Sequence, residues 1–226
     1  MYVVIAGAGL FGLTLAQQLV GHRYDVQVID PDPDSCAYAR LEIGCMACQG
    51  NAMSMKVLEG IGMRRADVAV GMMRQDSDNL SFLLLAQHFG VPRRLARVRE
   101  PEFAEPYRLA GATAVADSVE PVIRQMMTAI EFPTINRLMP IGKGNMDVFE
   151  LDVPANAAVA GWDVRTIANH PRFPSGCNFV AVQSPDGNYE VARGDTVIRA
   201  GGKVVMFAFA NDVQAAVDLL AATQLA

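Results

Sequence analysis

The chain has 226 residues, 51% of them hydrophobic, and a formal net charge of −5. It is long enough for one large domain or two small ones, and apolar enough to fill a core. The acidic balance argues against a nucleic-acid partner, and no apolar run approaches the ~18–20 residues that a membrane span needs.

Residues 2–6, Tyr-Val-Val-Ile-Ala, form a short apolar run with β-branched members, which predicts a buried strand. No basic region or cleavage site precedes it, so a chain without a leader, in the cytoplasm, is expected. Gly7-Ala8-Gly9-Leu10-Phe11-Gly12 follows at once, and residues 13–20 repeat apolar positions at helical spacing. Residues 25–29 are a second strand that ends on Asp30. Strand, glycine turn, helix, strand and acid together form the dinucleotide-binding fingerprint in its required context. Gly7 permits the sharp turn, Gly9 lets the backbone approach a pyrophosphate, and Gly12 lets the helix pack closely. The helix N-terminus offers unpaired N–H groups to phosphates. Asp30 is placed to accept hydrogen bonds from ribose hydroxyls, and its charge disfavours a 2′-phosphate.

The alternation of strands and helices continues. Asp32, Pro33 and Asp34 start a helix expected to reach about Ile43. Residues 45–49 are a third strand ending at Gly50-Asn51-Ala52, and 55–61 a short helix. Residues 66–72 are a fourth strand, 74–78 a loop, and 79–89 a helix stopped by Gly90 and Pro92. A fifth strand at 94–98, a helix at 101–109 and a sixth strand at 114–116 complete the series. The pattern predicts an α/β, Rossmann-like, doubly wound parallel sheet of order 3-2-1-4-5-6. Its ligand site lies where that order reverses.

Residues 119–132 read as a helix rich in Met, Ile and Val, with Met126, Met127 and Ile130 on one side. Pro133 stops it, and 135–138 reads as a second helical turn. After Lys143-Gly144 the pattern is β-rich: strands at 146–153, 178–182, 189–191 and 203–209, a tight turn at 185–188, and helices at 161–169 and 213–220. The expected organisation is a domain over 1–118, a helical segment over 119–144, and a small α+β domain over 145–226.

Four cysteines fit a reducing compartment. Cys45-Met-Ala-Cys48 is a single CxxC without a second pair, so two small apolar residues around a strand are preferred over a metal or redox site, and no metal ligands are assigned. A dehydrogenase would need a proton donor near its cofactor. His22, His88 and His170 are poorly placed for that, and no catalytic residue is assigned.

The chain resembles, over nearly its whole length, the RCK (or KTN) regulators of potassium transport. The N-terminal resemblance rests on the glycine turn with Asp30, Gly50-Asn51-Ala52, 66–70, Asp76-Ser77-Asp78-Asn79-Leu80, Ala96-Arg97-Val98 and Gly111-Ala112. It is the TrkA-N type. The C-terminal part is similar to the TrkA-C (RCK-C) type through 149–154, Val159-Ala160-Gly161 and 194–204. One copy of each looks like the cytosolic subunit of a Trk/Ktr-type potassium uptake system.

The resemblance implies a gating module rather than an enzyme. Its partner would be a membrane-embedded potassium pore subunit, and its location peripheral, at the inner face of the cell membrane. It implies a homodimer through a helical pair at 119–138, with a tetramer-of-dimers ring as the larger assembly. Carried over by position, the nucleotide site is Gly7, Ala8, Gly9, Leu10, Phe11 and Gly12 at the phosphates and Asp30 at the ribose. Asn51 and Ala52 fall near the adenine, with Met72, Met73 and Arg97 at the ends of the fourth and fifth strands. Relatives that prefer ATP often carry Arg where this chain has Leu10, which favours NAD or NADH, or ADP, over ATP. Glu120 stands near the position of a cation-binding acid in some relatives, with a helix-start carboxylate as the alternative. Arg165, Asn169 and Arg172 are candidates for a second effector. Two other readings stay open: a regulator of another cation transport system, such as a cation/proton antiporter, and an NAD-dependent oxidoreductase.

Overall fold

The computed structural model describes residues 1–141 and 145–224. The chain divides into two compact units, Met1–Pro121 and Val122–Ala226. The end of the expected helical segment, at 142–144, lies outside the described residues.

In the first unit six strands form one parallel sheet: β1 (Tyr2–Ala6), β2 (Asp25–Asp30), β3 (Met46–Gln49), β4 (Val68–Gly71), β5 (Arg93–Val98) and β6 (Ala114–Asp117). Their order is β3-β2-β1-β4-β5-β6, as the sequence pattern predicts. The helices α1 (Leu10–Gly21), α2 (Pro33–Tyr38), α3 (Met55–Gly60), α4 (Asp76–His88) and α5 (Ala104–Leu109) connect them. The central strands are buried on both faces, because alternate side chains serve two cores. Val3 and Ile5 pack with Ala16 and Leu13 of α1. Val4 and Ala6 pack with Phe82, Leu83 and Ala86 of α4. That double burial explains why β1 reads as an uninterrupted apolar run.

Local signals set the helix bounds. Asp32 caps α2 by accepting from the Asp34 and Ser35 N–H groups, with Pro33 at the first helical position. The expected helix to Ile43 continues from α2 as a π-helical turn at Ala39–Ile43. Helix α4 begins three residues earlier than expected. Asp76 and Asp78 occupy its first turn, where negative charge complements the helix dipole.

The division between units falls at the start of α6 (Glu120–Glu131). Asp117 anchors that start by accepting from the Val119 and Glu120 N–H groups. The helical turn expected at 135–138 is not formed. These residues belong to β7 (Ile135–Ile141), which pairs antiparallel with β8 (Met146–Asp152). The helical pair therefore reduces to α6 alone. Ile135 and Leu138 fit either period, and ladder pairing along β8 decides for the strand.

The second unit is a five-stranded sheet of order β10-β9-β11-β8-β7, with β9 (Cys177–Gln183), β10 (Tyr189–Val191) and β11 (Lys203–Phe209). All four pairings are antiparallel. Phe149, Leu151, Val204 and Met206 face a core shared with α7 (Val164–Ala168) and α8 (Val213–Leu220). Helix α7 is shorter than the expected 161–169, because Asp163 caps it through the Thr166 N–H at 2.7 Å. No described helix is long and apolar enough to cross a membrane.

Candidate functional site

The glycine turn joins β1 to α1, and backbone contacts leave no room for a Cβ at Gly7 or Gly12. Gly7 has φ +106°, and its N–H donates to Ile29 O at 2.8 Å. A Cβ there would lie 2.8 Å from the Met72 carbonyl carbon. At Gly12 a Cβ would fall 1.9 Å from Gly7 O, so any larger residue would push α1 off β1. A Cβ at Gly9 would meet nothing within 4 Å, because Gly9 borders open space.

That space is a cavity of about 740 Å³ outside the C-terminal ends of β1, β2, β4 and β5. Gly7, Gly9, Leu10, Phe11, Asp30, Asn51, Ala52, Met72, Met73 and Arg97 line it. Two predicted residues do not. Ala8 is buried in the core and contributes its N–H to Asp30, and Gly12 faces Gly7. None of the three histidines borders the cavity.

Asp30 is fixed from both sides. Its Oδ2 accepts the Ala8 N–H at 2.6 Å and its Oδ1 accepts the Asp32 N–H at 2.9 Å. Each carboxylate oxygen keeps acceptor capacity for a hydroxyl group. The same carboxylate therefore locks the turn and faces the cavity. Asn51 uses its Oδ1 to accept the Met53 N–H at 2.8 Å, which points its amide toward a donor role. Leu10 is 80% exposed at the cavity mouth.

The opposite wall is set by α4. Asn79, fully buried, accepts the Met73 N–H at 2.9 Å and donates to Met73 O at 3.1 Å. It holds the turn after β4 as a bidentate clasp. Gly71 must be glycine for this, since a Cβ there would sit 2.9 Å from Asn79 Oδ1. Asp76 holds the end of β5. It accepts the backbone N–H groups of Arg99 and Glu100 and the Tyr107 hydroxyl. Burial and the hydrogen bond to Asp76 push the Tyr107 hydroxyl well above its ordinary range.

Sequence reasoning missed Ile29, Pro31, Met53, Arg74, Asp78 and Arg99, which also line the cavity. Their signal is positional: each stands at or just past the C-terminal end of a strand, or on a loop or helix start that follows one. The Arg97 guanidinium lies over the Phe11 ring, 4.8 Å from its centroid. Burial first, and then the like charge of Arg99, pull it below its ordinary pKa.

The CxxC pair is not assembled as a metal site. Cys45 is a buried free thiol that donates to Ala39 O at 3.3 Å, and Cys48 is a partly exposed free thiol. Among the described residues no group of three His, Cys, Asp or Glu side chains is placed to hold a metal ion. In the second unit a shallow cavity is lined by Glu190, Val191, Arg193, Asp195, Thr196, Val197 and Arg199. Arg165, Asn169 and Arg172 are not part of it.

Comparison with known proteins matches the sequence to a family. The TrkA-N domain family matches residues 3–118. The Trk system potassium uptake protein TrkA homolog of Methanothermobacter thermautotrophicus is 28% identical over 204 residues, covering 90% of this chain and 92% of that one. The Trk system potassium uptake protein TrkA of Mycobacterium tuberculosis is 30% identical over 169 residues, covering 74% and 76%. Among solved structures, the GsuK channel bound to NAD has a TM-score of 0.65 at 22% identity, over 100% of this chain and 40% of that one. That last likeness is one of fold. The chain belongs to the TrkA-N family of Trk-system potassium uptake proteins.

Proposed function

We propose that this protein is a nucleotide-sensing regulatory subunit of a potassium transporter. It binds NAD(H) or an adenine nucleotide and couples that binding to a membrane-embedded pore. The observation that supports this most is the pairing of an unobstructed Gly9 with a doubly anchored Asp30 on one cavity. Gly9 gives phosphates access to the N–H groups of α1, and Asp30 gives the ribose its acceptor. The family relationship supports the transport context, and with it a peripheral position at the inner face of the membrane as part of this proposal. The role is a ligand-driven shift between states, so the nucleotide acts only through its different affinity for each.

The second unit is assigned as the TrkA-C domain, and α6 as the dimer-forming element. Val122, Ile123, Met126, Met127 and Ile130 are exposed on α6, an apolar set too large for a simple linker. Met suits an interface that must re-pack as the angle between subunits changes. Met126→Glu is expected to turn a dimer into monomers in sedimentation equilibrium. A dimer that survives this change would remove α6 from the interface.

Calorimetry with NADH, NAD, ADP and ATP tests the ligand reading. Saturable binding of at least one of them, without turnover, is expected. Consumption of NADH with a carbonyl substrate would replace the regulator by an oxidoreductase. Co-purification with a potassium pore subunit, rather than an antiporter, is expected to identify the partner.

A further inference from the structure

Helix α5 stands behind the cavity wall rather than in it. Among the described residues, none of α5 lines the cavity. Tyr107 is the buried residue of this helix, with no exposed surface. Its hydroxyl lies 2.9 Å from Asp76 Oδ1, with Asp76 O at 3.0 Å and Arg97 O at 3.5 Å. The hydroxyl has one proton to give and the carboxylate is the charged acceptor, so the strong bond is to Oδ1. Burial first, and then that bond, hold the phenol above its ordinary pKa, which keeps it a donor at neutral pH.

Asp76 divides its oxygens between two elements. Oδ1 serves α5, while Oδ2 accepts the Arg99 N–H at 3.1 Å and the Glu100 N–H at 3.0 Å. Those two amides close the end of β5, where Arg97 and Arg99 line the cavity. Asp76 is 4% exposed, so water does not replace a donor lost from Oδ1. Without the phenol the carboxylate must turn to share the Arg99 N–H, which already lies 3.3 Å from Oδ1. That turn loosens the grip of Oδ2 on the loop after β5.

We propose that Tyr107 is a positioning residue for the cavity: through Asp76 it fixes the loop after β5, and through the same bond occupancy of the cavity is passed to α5. The inference rests on the nucleotide reading above and names a route for its regulation. It requires only that a bound nucleotide touch the end of β5. Local opening of α5 withdraws the phenol and loosens that end. A ligand held there binds the closed form better, and so shifts α5 toward it. The coupling is reciprocal: whatever weakens the bond between α5 and Asp76 weakens ligand binding by the same factor. Leu109 of α5 is 80% exposed, so the change reaches the surface on an element that does not line the cavity.

The test joins calorimetry with ADP and NADH to hydrogen exchange on the full chain, in the parent and in Tyr107→Phe. The variant keeps the ring beside Phe103 and loses only the hydroxyl. Ligand is expected to slow exchange at the Ala110, Gly111 and Ala112 amides of the parent, whose N–H groups close the end of α5. In Tyr107→Phe the affinity is expected to fall about fivefold, the low end of coupling between linked sites, and the slowing to vanish. Urea unfolding is read alongside. A tyrosine with a structural role alone lowers stability and leaves both the affinity and the slowing as in the parent, and that result overturns the proposal. Ligand that binds the parent without changing exchange in α5 overturns it with no variant needed. Failure of both nucleotides to bind the parent overturns the nucleotide reading, and the proposal with it.

Discussion

The two units each bury a carboxylate to nearly the same depth and treat it in opposite ways. Asp76 is 4% exposed in the first unit and Asp147 is 5% exposed in the second. Asp76 accepts two backbone N–H groups and a tyrosine hydroxyl. Asp147 sits on the inward face of β8, and its Oδ1 has no hydrogen-bond partner. Burial raises its pKa, and Arg124 only partly opposes that. The difference follows from what each sheet leaves free. A parallel sheet covered on both faces ends in loops whose N–H groups need acceptors, and Asp76 and Asn79 supply them. An antiparallel sheet satisfies its backbone in the ladder, which leaves no spare N–H for the inward Asp147 Oδ1. In the first unit buried polarity shapes the site; in the second it is a cost.

Substitution breaks the comparison at its strongest point first. Asp76→Ala is expected to destabilise the first unit by about 3 kcal/mol, because two N–H groups and a hydroxyl lose their acceptor. It should also loosen the end of β5 and weaken any ligand that touches Arg97. Urea unfolding checks the first effect and calorimetry the second. Asn79→Ala is expected to cost about 2 kcal/mol, since both polar groups of Met73 lose their partner. Hydrogen exchange at the Met73 amide should rise accordingly.

Asp147→Asn is expected to stabilise the second unit at pH 7 by about 1 kcal/mol, by removing a buried charge without changing shape. The sign depends on pH. The folded carboxyl has a pKa raised above its unfolded value, so the folded state binds the proton more readily. Wild-type stability therefore improves as pH falls through the raised pKa toward the unfolded one. The advantage of the variant is full above that window and fades within it. Thermal unfolding from pH 7 down to pH 4 follows this directly; a variant less stable than wild type at pH 7 would mean that the charge is compensated.

The features legible in the sequence are those set by short-range rules. The strand order follows from alternation, the turn from Gly7, Gly9 and Gly12, and the acid from its place at the end of β2. The end of α2 at a π-turn, and the early start of α4 at Asp76, shift boundaries without moving the site. Residues 135–138 were not legible, because four residues carry too little period to separate a turn from a strand. The partner strand β8, joined in space, decides it. Arg74 and Arg99 were missed for a related reason. Nothing in their neighbours marks them, and they line the cavity because β4 and β5 lie side by side in parallel, with the residues that follow each strand at the same end of the sheet. Asn79 was visible as part of a family stretch, yet its clasp on Met73 is a tertiary fact.

Asp30 locks the turn through the Ala8 and Asp32 N–H groups, and we propose that the same carboxylate receives a nucleotide ribose. The most direct test is calorimetric affinity for NADH and ADP with Asp30→Asn, which keeps an oxygen for the Ala8 N–H and loses the charge. The predicted result is a folded protein whose affinity for both ligands falls about tenfold, the loss of one charge-assisted hydrogen bond. An Asp30→Asn protein that binds both as tightly as wild type would contradict it.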